Sequence, residues 1–333
     1  MRSLRALPAA LVGTATAVLL AACGSSEPAA NGQPDTASAP AATTAGPVTV
    51  TDDRGTVTLD GPATRVVSLE WGLTENLLTL GVKPVGEADV KGYNTWDTVV
   101  PLDPSTADVG QRGEPSLEAI AALDPDLVVT TTDLSEDVIK QIEKTAPVVA
   151  LRGSDAKDPI GHLRRTLDVL GDATGTAAKA DDVLAAFDQH VADAKAKLAD
   201  AGKAGAAFAM ADGWLSDGEV SVRMYATGSF LGGVADLLGL KNAWTGAGDP
   251  DYGLATTDVE GLTKIGDATF LYVANDTDGG DAFVDGLSDN AVWKGLPFVK
   301  GGDVHRLPDG IWMFGGPASA QAWIDATVSA LTA

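Results

Sequence analysis

The sequence has 333 residues, enough for two domains of ordinary size, and 45% of them are hydrophobic while 21% are charged. This composition is typical of a chain that folds around a core. The formal net charge is −23 at pH 7, which argues against binding to a nucleic-acid backbone or to anionic lipid headgroups. An anionic ligand would need a local positive site to overcome the overall field.

The N-terminus has the organisation of a secretory signal. Arg2 and Arg5 precede an apolar run that ends in small residues, and the run is too short and too rich in alanine, glycine and threonine for a transmembrane helix. The segment from Leu20 to Cys23, LAAC, resembles a bacterial lipobox, which implies removal of residues 1–22 and lipidation of Cys23. The alternative is ordinary cleavage that leaves Cys23, the only cysteine, as a free thiol.

Residues 24–46 contain no aromatic and no large aliphatic side chain, which predicts a flexible tether. We therefore assign residues 23–47 to a lipidated cysteine and its linker. The anchor, the tether and the acidic body together predict a protein held at the outer face of the cell membrane.

From Val48 onwards, strand patterns alternate with helix patterns. The strands are predicted at 64–69, 125–131 and 204–211, and the helices at 74–82, 158–171 and 175–200. Such alternation predicts an α/β fold with parallel sheets flanked by helices.

The second half of the chain repeats features of the first. SLEAIAALDPDLVV contains Glu118, and DVEGLTKIGDATFL contains Glu260 at the equivalent position. This predicts two similar lobes, 48–157 and 175–333, connected through a helix at 158–174.

Glu118 and Glu260 lie off the apolar stripes of their predicted helices, so we expect both to face solvent. In the first helix the stripe consists of Leu117, Ile120 and Leu123. For each glutamate taken alone, an ordinary solvated helix charge is the alternative.

Five segments of the sequence, taken in order, carry a resemblance to known proteins. They are RVVSLEWGLTENLLTLGVKPVGEAD (65–89), DVGQRGEPSLEAIAALDPDLVV (108–129), NAWTG (242–246), VWKGLPFVKGGDVHRLP (292–308) and IWMFGG (311–316). Together they resemble the helix-linked class of substrate-binding proteins of ABC importers, which serve siderophores, haem and cobalamin, and within it the branch of ferric-hydroxamate binding proteins.

The resemblance implies two lobes joined by one long helix, with the ligand in a shallow cleft between them. It implies a monomeric binding protein rather than an enzyme, with a ferric siderophore as its ligand and no cofactor. It also implies that Glu118 and Glu260 dock, one per lobe, onto the membrane permease subunits of an importer.

Arg112 occupies the position of the arginine that bonds hydroxamate oxygens in the resembling proteins. A planar guanidinium suits the polarised oxygens of a ferric trihydroxamate. The alternative is a surface arginine paired with Glu114 or Asp108. Arg223, in the other lobe, is a second candidate cation for the cleft.

Aromatic side chains at loop and strand-end positions suit the apolar linkers of a siderophore. The candidates are Trp71, Trp244, Tyr252, Trp312 and Phe314, whereas Trp293 and Trp323 are expected in the core.

One feature departs from the resembling proteins, which often have a ligand-binding tyrosine after the strand 125–131. TTTDLSED (130–137) has none, so Tyr93 or Tyr225 is the substitute that the sequence offers.

The sequence shows no metal-ligand spacing and no catalytic motif. His162, His190 and His305 are far apart, so we expect iron to arrive already chelated. Three alternatives stay open: a haem or cobalamin binder of the same class, a carboxylate-dependent extracellular hydrolase, and a structural lipoprotein of the cell envelope.

Overall fold

The computed structural model describes residues 46–216 and 218–333. The predicted signal, Cys23 and nearly all of the linker lie outside the described residues. Within the described ranges, no helix is both long and apolar enough to cross a membrane.

The first half of the described chain builds one five-stranded parallel sheet and two separate antiparallel strand pairs. Its elements are β1 (Val48–Thr51), β2 (Thr56–Leu59), β3 (Val66–Ser68), α1 (Trp71–Thr79), β4 (Gly86–Glu87), α2 (Val90–Trp96), β5 (Ala107–Asp108), β6 (Gly110–Gln111), β7 (Glu114–Pro115), α3 (Leu117–Ala122), β8 (Leu127–Thr131), α4 (Glu136–Ile142) and β9 (Val148–Leu151). The five strands in the order β5-β4-β3-β8-β9 pair in parallel throughout. Leu127 and Val129 of β8 pack on one face and Val128 on the other, because successive strand side chains alternate and both faces are covered.

Two helices connect the halves, and both confirm predicted helices. α5 (Pro159–Thr174) begins where Asp158 accepts a hydrogen bond from the backbone and ends at Gly175, whose φ of 70° is left-handed. α6 (Ala177–Asp200) has 24 residues, about 36 Å of helix. Ala180 of α6 packs in the core of the first sheet, and Phe187 packs in that of the second. The longer helix therefore contacts both cores.

The second half builds a mixed sheet. Its elements are β10 (Ala207–Ser216), β11 (Glu219–Tyr225), α7 (Phe230–Leu238), β12 (Lys241–Asn242), β13 (Leu254–Thr257), a 3-10 turn (Gly261–Lys264), β14 (Thr269–Tyr272), a π-helical turn (Ala282–Gly286), α8 (Ala291–Gly295), α9 (Pro297–Gly301), β15 (Val304–Arg306) and α10 (Pro317–Thr332). The order is β13-β11-β10-β14-β15, with β12 also pairing with β10. β10, β14 and β15 are parallel, while β11 and β13 add an antiparallel side.

The two segments that carry the outward glutamates differ in structure. Glu118 lies in the first turn of α3, but Leu117 is 36% exposed and does not belong to the buried stripe, which corrects that part of the prediction. Glu260 precedes a single 3-10 turn instead of an α-helix. Gly261 begins that turn and Gly266 follows it, and glycine disfavours a longer helix.

The two halves share a core. Trp71 and Tyr93 from the first half pack in one cluster with Phe208, Met210 and Trp323 from the second. This shared packing fixes one sheet against the other and so shapes the space between their strand ends.

Candidate ligand-binding cleft

A cleft of about 750 Å³ lies between the two halves and is lined by residues from both. Trp71 begins α1 three positions after the end of β3, and Gly153 lies shortly after β9. These positions are at the carboxyl ends of parallel strands, where α/β folds commonly bind ligands. The volume suits a ligand of siderophore size.

An aromatic wall runs along the cleft. The rings of Trp71 and Trp312 meet edge to face at 4.9 Å between centroids, and Phe314 lies 5.3 Å from Trp312. Tyr252 continues the wall at 5.7 Å from Phe314. The Trp71 ring is fixed by its indole N–H, which donates to the carbonyl of Ala88 at 3.2 Å. The wall therefore offers a preorganised apolar surface to a ligand.

Arg112 reaches this wall from the turn between β6 and β7. Its guanidinium lies 3.7 Å above the centre of the Trp71 ring, a cation–π contact. Its Nη1 donates to Oε1 of Glu70 at 2.8 Å. Burial raises the pKa of Glu70, and the adjacent Arg112 cation opposes that shift. The paired carboxylate is thus Glu70, not Glu114 or Asp108 as the alternative prediction had it.

Arg223 lies in the cleft on the side of the second half. β10 and β11 place it directly opposite Asp212 in the antiparallel register, and its Nε donates to Oδ1 of Asp212 at 2.9 Å. Its guanidinium carbon is 5.4 Å from the centre of the Phe314 ring. Burial raises the pKa of Asp212, against the effect of the Arg223 cation. Each half of the chain therefore supplies one arginine to the cleft, and each arginine has its own carboxylate.

Hydrogen bonds join the two halves at the cleft. The hydroxyl of Tyr252 donates to Asp133, next to Gly153, where a Cβ would overlap both groups. Burial and the Asp133 carboxylate raise the pKa of Tyr252. The indole N–H of Trp96 donates to Oδ2 of Asp278 at 2.8 Å. These contacts hold the halves in one relative position.

Two of the predicted ligand residues do not line the cleft. Tyr93 has no exposed surface, and its hydroxyl donates to the carbonyl of Val100 at 2.7 Å. Trp244 does not line the cleft and packs in the core on the far face of the second sheet, with Val259 and Phe270. Both are core residues, which corrects those predictions.

The other aromatic and arginine candidates, Arg112, Trp71, Trp312, Phe314, Tyr252 and Arg223, all line the cleft. Trp293 and Trp323 lie in the core as expected. Tyr225 is buried, and its hydroxyl donates to Asp212 at 3.2 Å, behind Arg223.

Several lining residues were missed by the sequence reasoning. They are Glu70, Trp96, Asp212, Trp214 and Asp278. Trp214 and Leu215 are 44% and 48% exposed on the β10–β11 hairpin. A signal existed for Glu70 and Asp212, because each is an acid at a strand end or strand interior where an apolar residue is usual.

Three acids are buried behind the aromatic wall. Glu75 of α1 accepts hydrogen bonds from the backbone N–H of Gly316 and of Ser319 at 2.9 and 3.0 Å, at the start of α10. Burial raises the pKa of Glu75, and burial with the nearby Glu75 carboxyl raises that of Asp97 well above its usual range. Neither carboxyl oxygen of Asp97 has a hydrogen-bond partner among the described residues. Elsewhere in this region Thr74 donates to Glu87, whose pKa burial raises strongly.

Glu118 and Glu260 are both exposed. Neither lines the cleft. Among the described residues, no group of three or more histidine, cysteine, aspartate or glutamate side chains is placed to hold a metal ion.

Comparison with known proteins identifies the family. The sequence profile of the periplasmic binding protein family matches residues 66–310. The iron(3+)-hydroxamate-binding protein FhuD of Escherichia coli is 27% identical over 260 residues, covering 78% of this chain and 84% of the relative. The probable siderophore-binding lipoprotein YfiY of Bacillus subtilis is 29% identical over 275 residues, covering 78% and 79%.

A solved structure shows the same architecture. The crystal structure of the Fe3+–Desferal bound siderophore-binding protein FhuD from Vibrio cholerae superposes with a TM-score of 0.71 at 28% identity, covering 81% of this chain and 98% of that one. Fold, cleft and sequence profile thus agree on a two-lobed binding protein. The chain belongs to the periplasmic binding protein family.

Proposed function

We propose that the protein captures a ferric siderophore of the hydroxamate type outside the cell and delivers it to an ABC importer. The observation that carries the proposal is the cleft itself, where each lobe contributes one arginine held beside aromatic rings. The names of the relatives, one a hydroxamate-binding protein and one a siderophore-binding lipoprotein, support this reading.

The chemistry of a ferric trihydroxamate matches these groups. Its coordinated oxygens accept hydrogen bonds, and a guanidinium offers several N–H donors in one plane. Its methylene linkers are apolar and pack against the rings of Trp71, Trp312 and Phe314. The protein's role is binding rather than catalysis, and iron is its cargo rather than a cofactor.

Delivery would use the exposed surface on the lobes. Glu118 belongs to the lobe 48–157 and Glu260 to the lobe 175–333, with 158–174 between them. Both side chains are exposed and outside the cleft, so a permease could contact them while the ligand stays bound. Charged surface contacts of this kind favour fast, reversible encounters.

Lipidation of Cys23 would hold the protein at the extracytoplasmic face of the membrane. The tether that follows would let the body reach an importer. A relative named as a lipoprotein supports this part of the proposal.

The test is a fluorescence titration of purified mature protein against ferrioxamine, ferrichrome, a ferric catecholate, haem and cobalamin. A ferric trihydroxamate should quench tryptophan emission saturably, because Trp71 and Trp312 line the cleft. Iron-free hydroxamate should bind more weakly, since its oxygens are not preorganised. Binding of haem or cobalamin without any hydroxamate would instead support the alternative ligand classes.

A further inference from the structure

We propose that the cleft selects ferric complexes by their net charge, accepting neutral and cationic complexes and rejecting anionic ones. The proposal rests on the proposed siderophore function and narrows its ligand class. The structural basis is the balance of charged groups that line the cleft.

The positive charge of each cleft arginine is already paired with a carboxylate. Arg112 is paired with Glu70 at 2.8 Å, and Arg223 is paired with Asp212 through two of its nitrogens. Each acid is less exposed than its arginine, 23% against 34% and 12% against 31%. The arginines therefore present N–H donors to a ligand without presenting an uncompensated positive charge.

A third carboxylate makes the lining negative. Asp278 lines the cleft and is held by the indole N–H of Trp96 at 2.8 Å. The ion pairs found among the described residues include none to Asp278. The lining thus has two positive and three negative side chains, so one negative charge remains.

The charges around the cleft are also predominantly negative. Asp133 lies at the edge of the cleft, bonded to the hydroxyl of Tyr252, and the whole chain carries a net charge of −23. Arg306 approaches this region but is shared among Asp276, Asp281 and Asp309. Among the described residues that line the cleft, an anionic ligand therefore meets no free cation.

Ferric complexes differ strongly in charge. Three hydroxamates neutralise Fe(III), so a trihydroxamate complex is neutral, or positive when its chain ends in an amine. Three catecholates leave three negative charges, and carboxylate complexes are also anionic. An ammonium group near Asp278 gains a charge-assisted contact, and the Trp96 ring beside it adds a cation–π surface.

The experiment uses one chelate with three end groups. Ferric complexes of a linear trihydroxamate that ends in a free amine, an acetamide or a succinamide whose far end is a free carboxylate have charges of plus one, zero and minus one. Binding to full-length mature protein is measured by calorimetry at low ionic strength. Affinity should fall in that order by about fivefold per unit of charge, a ratio appropriate to a charge several ångströms away at the protein surface.

Three outcomes separate this inference from the proposed function. The predicted order supports both. Equal affinity for the three complexes, or a preference for the succinamide, would overturn the charge selection while the siderophore function stands. Failure of all three to bind would remove the proposed function and the inference together.

The variant Asp278→Asn tests the role of the negative charge of Asp278, because asparagine keeps an oxygen that accepts the hydrogen bond from the indole N–H of Trp96. The amine-to-succinamide affinity ratio spans two units of charge and is about 25-fold in the wild type, so it should fall towards unity, with binding of the neutral acetamide changed less than about twofold. Asp200→Asn, the same charge change at the exposed end of α6, should leave the ratio as in the wild type. An unchanged ratio in Asp278→Asn, or an equal change in both variants, would refute the role of Asp278.

Discussion

Replacing Arg112 by alanine is the perturbation that probes the cleft most sharply. Arg112 donates one hydrogen bond to Glu70 and lies against Trp71, so its other N–H donors remain available to a ligand. Losing a hydrogen bond between an ionised donor and the ligand should weaken binding of a ferric trihydroxamate by about 1.5–3 kcal/mol. That is about 10- to 150-fold in Kd.

The structure adds a second contribution to this loss. Without Arg112, the Glu70 carboxylate faces the cleft with no cation beside it and repels the oxygens of the ligand. The double variant Arg112→Ala, Glu70→Gln should therefore bind about fivefold more tightly than Arg112→Ala alone. Arg112→Lys should recover only part of the affinity, because an ammonium cannot form the planar fork of a guanidinium.

Fluorescence titration and calorimetry of the same protein samples measure these effects, and urea unfolding checks the fold. Arg164→Ala is the matched control, since Arg164 pairs with Asp188 on the outer helices and does not line the cleft. Wild-type affinity in Arg112→Ala, within about twofold, would show that Arg112 only neutralises Glu70.

Three further predictions follow from the surface, the buried acids and the contact between lobes. The double variant Glu118→Ala, Glu260→Ala should bind ligand normally in vitro, with stability changed by about 0.5 kcal/mol or less per site, yet lose siderophore-dependent radio-iron uptake in cells; normal uptake at matched expression would exclude docking. Burial in the folded protein raises the pKa of Glu87 well above its usual value, so above about pH 4.3 the folded protein binds more protons than the unfolded chain. The free energy of unfolding should therefore fall with rising pH, by up to about 1.4 kcal/mol per pH unit. Glu87→Gln should flatten that slope in urea unfolding between pH 5 and 8, and an unchanged slope would count against a protonated Glu87. Tyr252→Phe removes the hydrogen bond to Asp133 and should speed ligand association in stopped-flow measurements if that bond restrains opening of the lobes; an unchanged rate would exclude such restraint.

The sequence predicted the parts of the cleft that lie within one segment. Trp71 follows a strand and begins a helix, and Trp312 and Phe314 are spaced by two, so local patterns were enough to select them, although residues 312–315 form a turn rather than an extended strand. Arg112 came from the resemblance to a known loop. These residues line the cleft.

The other residues of the cleft could not be predicted from local patterns, because their positions depend on long-range packing. Trp96 and Asp278 meet although 182 residues separate them, and no local pattern predicts that pairing. Trp244 lies in a loop, as a ligand residue would, but the loop turns its ring into the core. A strand or loop position indicates that a side chain is near a sheet edge, whereas the packing of the other elements decides which side it faces.

The buried acids illustrate the same limit. The helical pattern of α1 does not indicate that Glu75 meets the start of α10, because that contact joins residues 241 apart in the chain. A buried acid of this kind can be recognised only once the positions of both helices, and of the backbone N–H groups that bond it, are known.

The central claim, that this cleft binds a chelated ferric ion, is tested most directly by the crystal structure of the protein with a ferric trihydroxamate, using anomalous scattering at the iron edge. We expect a single iron peak in the cleft beside Trp71, coordinated only by hydroxamate oxygens, with Arg112 donating to those oxygens. An iron peak outside the cleft, or iron coordinated by protein side chains, would contradict it.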